Sequence, residues 1–354
     1  MNRTETRSTE VISVDAHAPA PASIDRAAEV IRDGGLVAFP TETVYGLGAN
    51  ALDATAIRSI YRAKQRPSGD PIIAHIYAIA QLEQLALAIP DAAYALAEAF
   101  WPGPLTLILS RAPDIPGVLA EGMDTIAVRM PAHPVAAALL RTANTPIGAP
   151  SANRFTRPSA TTAAHVLEDL AGRIDLVLDG GASNIGIESS VLDLTGEPKV
   201  LRPGGITLDA LRSVVPDVKM ASRFLGEQEL SISPGQMLKH YSPRAQLLLY
   251  QGPSDAVLER QAEDCVSAET AGQLAGVLAL TSDKLDFPAN TLVEHLPDDV
   301  GLEGVSNALF AAIRTLDAQG CDMILARDYG RSGLGEAIWD RLLRAAEGKV
   351  IDVL

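Results

Sequence analysis

Apolar and polar positions divide this chain into two stretches of alternating strand-like and helix-like segments, separated by a stretch without a period. From about Ile24 to Val214, short apolar runs recur at "LVAF", "PIIAHI", "LTLILS", "TIAVRM", "PIGAP", "DLVLD", "SSVLDL" and "KVLR". Between them, "ATAIRSIYRAK", "DAAYALAEAF", "PVAAALLRTA" and "TTAAHVLEDLAG" carry apolar residues at helical spacing. This alternation predicts an α/β domain around a mixed sheet over residues 23–214. A second alternation begins at Ala245. "QLLLY", "AGVLALTS", "NTLVEHL" and "CDMILARDY" read as strands, "SNALFAAIRTLDAQG" and "EAIWDRLLRAA" as helices, giving a smaller α/β domain over 245–354. Residues 215–244 have prolines towards both ends and no sustained period, and read as a linker. Residues 1–22, polar and rich in Ala and Pro, read as a disordered lead-in.

Composition narrows the function classes. Aromatics are 4% of the chain, too few for rows of base-stacking side chains. No apolar run approaches the roughly 20 residues of a membrane span, and the N-terminus lacks the apolar core of a signal peptide. The two cysteines, Cys265 and Cys321, lie far apart, which argues for a reducing cytoplasm and against a disulfide framework or a cysteine-rich zinc site. The net charge of −15 is uneven: 18 acids face 8 bases from Ala245 onward, 26 face 21 before it. An acidic chain is a poor default partner for a polyphosphate backbone.

The candidate chemistry sits where strands of the first domain end. "FPTETVYGLG" changes abruptly from an apolar run to Thr41, Glu42, Thr43 and Tyr45. A strand-ending turn, with Gly46 and Gly48 at positive φ, is one reading; a ligand floor beyond a strand's carboxyl end is the other. "KQRPSGD" supplies Lys64, Arg66, Ser68 and Asp70, and His75 follows within the next strand. "TIAVRM" puts Thr125 and Arg129 on one face of a strand. "APSANRFTRPS" adds Ser151, Asn153, Arg157 and Ser159; "IESSV" adds Glu188, Ser189 and Ser190; "VLRPGG" adds Arg202. Arg129, in an apolar strand, requires an anionic partner, which is Glu42, Glu188 or a ligand. Several bases and a ring of hydroxyls suit a polyanion and a zwitterion in one cavity. The P-loop, GxGxxG, GxSxG and HExxH patterns are absent from the sequence.

These blocks resemble the threonylcarbamoyl-AMP synthase family. "VAFPTETVYGLGANA", "AKQRPSGDPIIAHI", "FWPGPLTLIL", "DTIAVRMPAHP", "APSANRFTRPS", "IESSVLDL" and "LRPGG" look like its YrdC-like domain. "SPGQMLKHYSPRA" and "RSGLGEAIWDRLLRAA" resemble its two-domain form. The resemblance implies a YrdC-like twisted mixed sheet with a central ligand cavity, followed by a Rossmann-like C-terminal domain. It implies the conversion of L-threonine, bicarbonate and ATP to L-threonylcarbamoyladenylate and pyrophosphate, with Mg2+ accompanying ATP and no dedicated metal cage. By motif position, threonine would be held by Thr43, His75, Arg129, the backbone at Ala149, and Ser189. ATP would be held by Arg66, Asp70, Thr125, Ser151, Ser159, Arg202 and Tyr241. Lys64, Arg66, Ser151 and Asn153, in K-x-R and S-x-N patterns, would line the reacting centre. The linker is expected to act as a lid, with Tyr241 reaching the nucleotide and Lys239 or His240 adding charge.

The same resemblance implies a cytoplasmic enzyme that passes its product to tRNA threonylcarbamoyl-transfer proteins, without stable tRNA binding of its own. Two rivals belong to other classes. An RNA-binding module is opposed by the acidic balance and scarce aromatics. A carbamoyltransferase of the hydrogenase-maturation type would carry cysteine-rich fingers, which two cysteines cannot build.

Overall fold

The computed structural model describes residues 8–67, 70–120, 122–221, 241–284 and 286–354. The chain divides into two units. The first comprises residues 1–155, 159–184 and 188–236; the second takes 237–354 together with Thr156–Pro158 and Ile185–Ile187.

Along the first unit run β1 (Glu10–Ser13), α1 (Pro21–Arg32), β2 (Val37–Phe39), β3 (Gly46–Asn50), α2 (Ala54–Lys64) and β4 (Ala74–His75). Then come α3 (Leu82–Leu85), β5 (Ala86–Leu87), α4 (Asp91–Phe100), β6 (Leu105–Arg111), β7 (Thr125–Arg129), α5 (Pro134–Ala143) and β8 (Ile147–Gly148). The rest is α6 (Ala163–Leu170), β9 (Leu176–Asp179), β10 (Ser190–Asp193), β11 (Lys199–Arg202), α7 (Leu208–Val214) and β12 (Lys219–Met220). The strands form one mixed sheet in the order β1-β9-β2-β3-β8-β4-β7-β6-β10-β11-β12, with β5 paired to β6.

Period-two alternation sorts each strand between the sheet's faces. On β2, Val37 and Phe39 pack with α1 and α5, while Ala38 joins the larger core built on α2, α4, α6 and α7. On β6 and β7, Leu105, Leu107, Leu109, Ile126 and Val128 all enter that larger core. Their neighbours Thr106, Ile108, Thr125, Ala127 and Arg129 therefore occupy the opposite face. There Ile73, Ile108, Ala127 and Val191 make only a small apolar cluster. This thinly covered face is where polar side chains gather.

Two expectations need correction here. Glu10–Ser13 are not disordered: β1 pairs parallel with β9 over four residues, and Pro21 already starts α1. Gly46 and Gly48 lie in β3, antiparallel to β2, and neither has positive φ. Gly48 instead allows close approach, since a Cβ there would sit 2.7 Å from both Phe39 and Ile147. Of the expected linker, β12 pairs with β11, and residues 222–240 lie outside the described residues.

The second unit contains β13 (Gln246–Gln251), α8 (Ser254–Thr270), β14 (Ala275–Leu280), β15 (Leu292–Leu296), α9 (Leu302–Ala318), β16 (Met323–Arg327), α10 (Gly335–Ala345) and β17 (Val350–Asp352). Its sheet has the order β15-β14-β16-β13-β17, with every pair parallel. Strands alternating with helices in a parallel sheet match the Rossmann-like expectation.

Candidate active site

The site is built around the carboxyl end of β7. Arg129 closes that strand, in register with His75 on β4 and Thr106 on β6. Its side chain is 4% exposed, and each of its three nitrogens has a partner within the protein. Nε donates to the Gly103 carbonyl at 3.2 Å, Nη1 to Thr43 Oγ1 at 2.9 Å, and Nη2 to Glu42 Oε1 at 2.6 Å. Of the partners that the sequence left open for Arg129, Glu42 is thus the protein's own. The hydroxyl protons beyond it have a fixed direction. Thr41 donates to the Val44 carbonyl at 2.6 Å, so Thr43 is the donor in its 2.8 Å bond to Thr41. "PTETV" therefore orients one guanidinium through an ordered chain of hydroxyls.

His75 Nδ1 lies 3.2 Å from the Ile73 carbonyl, which only accepts, so Nδ1 carries the proton. Burial, helped by the Arg129 charge, pushes the imidazole down from 6.5 to about 3. A neutral, fixed ring is a hydrogen-bonding wall and not an acid at working pH. The stability contributed by neutral His75 is complete above pH 6.5 and drains as pH falls toward 3, because the unfolded chain takes up a proton that the native ring refuses. A His75→Gln variant should therefore show a flatter melting-temperature profile than the unaltered chain between pH 4 and 7 by circular dichroism. Parallel profiles would show that the ring's neutrality has no such cost.

A second group of side chains surrounds Asp70. Lys64 ends α2, whose first turn is capped by Asp53 and whose last leads into Gln65 at φ 55°. Its Nζ donates to the carbonyls of Ser151 at 2.5 Å and Asn153 at 2.6 Å, so the K-x-R and S-x-N patterns are one physical unit. Arg66 Nη2 approaches Asp70 Oδ2 at 2.7 Å and donates to the carbonyls of Asp70 and Pro71 at 3.0 Å. The Asp70 oxygens nevertheless lie outside hydrogen-bond alignment, and Arg66 Nε is a buried donor without a partner among the described residues. Burial pushes the Asp70 carboxyl up against the opposing pull of Arg66, Lys64 and Arg202. Arg202 holds the Ser189 carbonyl through Nε and Nη2, and Ser189 Oγ lies 2.8 Å from Thr106 Oγ1. Ser159 donates to Glu188. Gly204 lets the "LRPGG" turn lie against this backbone: a Cβ would be 2.4 Å from Glu188 O and Ser190 N.

Lys64, Arg66, Arg129 and Arg202 are thus buried beside Glu42, Asp70 and Glu188. Thr43, His75, Arg129, Thr106, Ser189 and Arg202 form one connected set through register and hydrogen bonds. Other expected residues stand differently. Thr125 shares the face of Arg129 but opens the strand, about 13 Å away at strand rise. Ala149 gives its N–H to the Ile73 carbonyl, so that group of its backbone is already engaged. Ser151 is half-buried beside β3, bridged to Gly46. Arg157 belongs to the second unit, 3.5 Å from Asp317. Tyr241 also belongs there: it is buried, its ring centroid 5.2 Å from that of Phe310 and beneath the Arg341 guanidinium. The packing roots Tyr241 in the second unit. Ser68, Lys239 and His240 lie outside the described residues. Thr106 and the Gly103 carbonyl were missed in the sequence, since a threonine within "LTLILS" reads as ordinary strand composition.

A mixed sheet with buried guanidinium, carboxylate and hydroxyl groups gathered at its strand ends is the kind of setting in which α/β enzymes place their sites. The family model described as telomere recombination matches residues 29–204, and that described as threonylcarbamoyl-AMP synthase, C-terminal domain, matches residues 206–347. A threonylcarbamoyl-AMP synthase of Pyrococcus abyssi is 44% identical over 92% of this chain and 95% of its own. One of Bacillus subtilis is 43% identical over 93% of this chain and 94% of its own. The crystal structure of P. abyssi Sua5 complexed with L-threonine superimposes with a TM-score of 0.93 at 42% identity, covering 98% of this chain and 100% of that one. The chain belongs to the threonylcarbamoyl-AMP synthase family.

Proposed function

We propose that the cavity of the first unit holds L-threonine, bicarbonate and ATP and joins them into L-threonylcarbamoyladenylate, releasing pyrophosphate. The chain is an enzyme of the nucleotidyltransferase type. The threonine complex of the P. abyssi relative supports the amino-acid half of this reading. The observation that carries the whole is the pair of linked polar groups, one centred on Arg129 and one on Asp70 with its three cations. Thr43, His75, Arg129, Ser189 and the Ala149 carbonyl are assigned to threonine. Arg66, Asp70, Ser159, Arg202, Ser151 and Thr125 are assigned to ATP, an elongated ligand suited to the distance separating Thr125 from Arg129.

Bicarbonate gives up hydroxide to become CO2, threonine's neutral amine captures the CO2 as a carbamate, and the amine's proton leaves with that hydroxide as water. A carbamate oxygen then attacks the α-phosphate, and pyrophosphate leaves. No protein nucleophile is needed. The protein's work is to hold the two reactants in line, oppose the charge growing on phosphate, and keep water from a labile carbamate. Guanidinium groups suit this because a planar fork grips two oxygens at once. Among the described residues no group of three or more His, Cys, Asp or Glu forms a metal cage. A magnesium ion arriving on the nucleotide would keep most of its own waters, and Asp70 would be a carboxylate available to hold it. Such an ion supplies charge neutralisation on the phosphates.

The adenylate would be consumed by proteins that transfer its threonylcarbamoyl group to the N6 of an adenosine beside the tRNA anticodon. An acidic chain suits handing over a small molecule better than holding tRNA. A cytoplasmic location accords with this role, and no helix among the described residues is long and apolar enough to cross a membrane. The test is pyrophosphate release from ATP. Release should require threonine and bicarbonate together, with a preference over serine of roughly 10- to 200-fold, the worth of one methyl group. Equal release with serine, or none with any amino acid, would refute the assignment.

A further inference from the structure

Among the described residues Glu42 is the one carboxylate bonded to Arg129, and no ligand contact has been assigned to it. The residue is 8% exposed, yet only Oε1 is used, in the 2.6 Å bond from Arg129. Oε2 is buried with no hydrogen-bond donor among the described residues. A buried carboxylate oxygen left unpaired is costly, and native sites retain one where a ligand supplies the donor. The nearest competing side chain is His133, whose electrostatic partner is Glu42, but whose Nδ1 accepts from Val135 N at the start of α5.

We propose that Glu42 Oε2 receives the α-ammonium of the amino-acid substrate, making the Arg129–Glu42 pair a two-pole receptor for a zwitterion. This rests on the threonine assignment above. The donor and acceptor count supports it. Arg129 has five N–H groups, of which Gly103, Thr43 and Glu42 take three, leaving two for a carboxylate. Glu42 has a whole oxygen left for an ammonium, which has three donors and no acceptor. Of the other acceptors, the Gly103 carbonyl already serves Arg129 and the Ile73 carbonyl serves His75 and Ala149; the Ala149 carbonyl is uncharged and matches an ammonium less well than a carboxylate does. His75 is neutral, and the Arg129–Glu42 pair carries no net charge of its own. A neutral pair with spare donors on one pole and a spare acceptor on the other suits a zwitterion better than a simple anion or cation.

The test compares L-threonine with 3-hydroxybutyrate, its analogue without the amino group, by calorimetry on the full chain. Glu42→Gln should weaken threonine at least tenfold, of the order expected for a charged hydrogen bond, and leave the analogue's affinity unchanged. Glu42→Asp, which keeps the charge on a shorter arm, should recover part of the preference, and it serves alone should Glu42→Gln fail to fold. Arg129→Lys should weaken both compounds, since both carry the carboxylate. Equal losses for threonine and the analogue in Glu42→Gln would reduce Glu42 to a prop for Arg129 and overturn the proposal. Full retention of the preference in Glu42→Asp and Glu42→Gln alike would overturn it too. If the unaltered chain binds no threonine, the substrate assignment itself falls, and that curve alone reveals it.

Discussion

Arg129→Lys should bind threonine at least tenfold more weakly than the unaltered chain while keeping its fold. Lysine preserves the charge opposite Glu42 but loses the planar fork that serves Gly103, Thr43, Glu42 and a carboxylate together. Arg129→Ala would go further, because it strands a buried carboxylate as well. Truncating one partner of a buried charged pair costs about 2–5 kcal/mol, part of which is felt by the fold. The lysine variant is therefore the cleaner probe. Calorimetry with threonine reads the affinity and a thermal melt reads the fold. Unchanged affinity in the folded lysine variant would remove Arg129 from the substrate site.

Lys64→Met should lower turnover by roughly 10²- to 10³-fold, in the range found when one preorganised donor is removed from a reacting centre. The side chain is 1% exposed, and methionine nearly matches its length, so the apolar stem remains packed. What disappears is the ammonium that ties Ser151 and Asn153 to the end of α2, and one of three cations facing Asp70. The S-x-N segment then loses its anchor, and the carboxyl of Asp70 loses support for its charged form. Pyrophosphate release at saturating ATP and threonine measures the effect. Turnover within about threefold of the unaltered chain, well below that range, would show that the lysine merely packs the loop.

Much of this was readable in the order of residues. The helices α2, α4 and α5 begin and end where their apolar spacing does, and the strand-end polar residues Thr43, His75 and Arg129 fall into one group. What escaped has physical causes. β3 is "GLGAN", and glycine carries no side chain to announce a strand. α8, "SDAVLERQAEDCVSAET", is acidic and weakly amphipathic, and so lacks a clear apolar stripe. Thr106 looks like strand filler until β6 is set beside β7 and the Ser189 turn. Glu42's spare oxygen is a property of three-dimensional bookkeeping that no spacing encodes. Tyr241 is buried against Phe310, a placement that no spacing in its patternless stretch announces.

The pairing of β1 with β9 gives the N-terminal residues a protective task. Without Glu10–Ser13, the backbone of Leu176–Asp179 would have an open hydrogen-bonding margin along a run of Leu, Val and Leu. Such margins recruit other chains and seed aggregation. β1 is itself a poor template: it is short, it begins with a glutamate, and that glutamate is tied to Arg26 of α1. A truncation placed at residue 22, which looks harmless from composition, would exchange this blunt margin for a sticky one, and its first symptom would be lost solubility rather than lost chemistry.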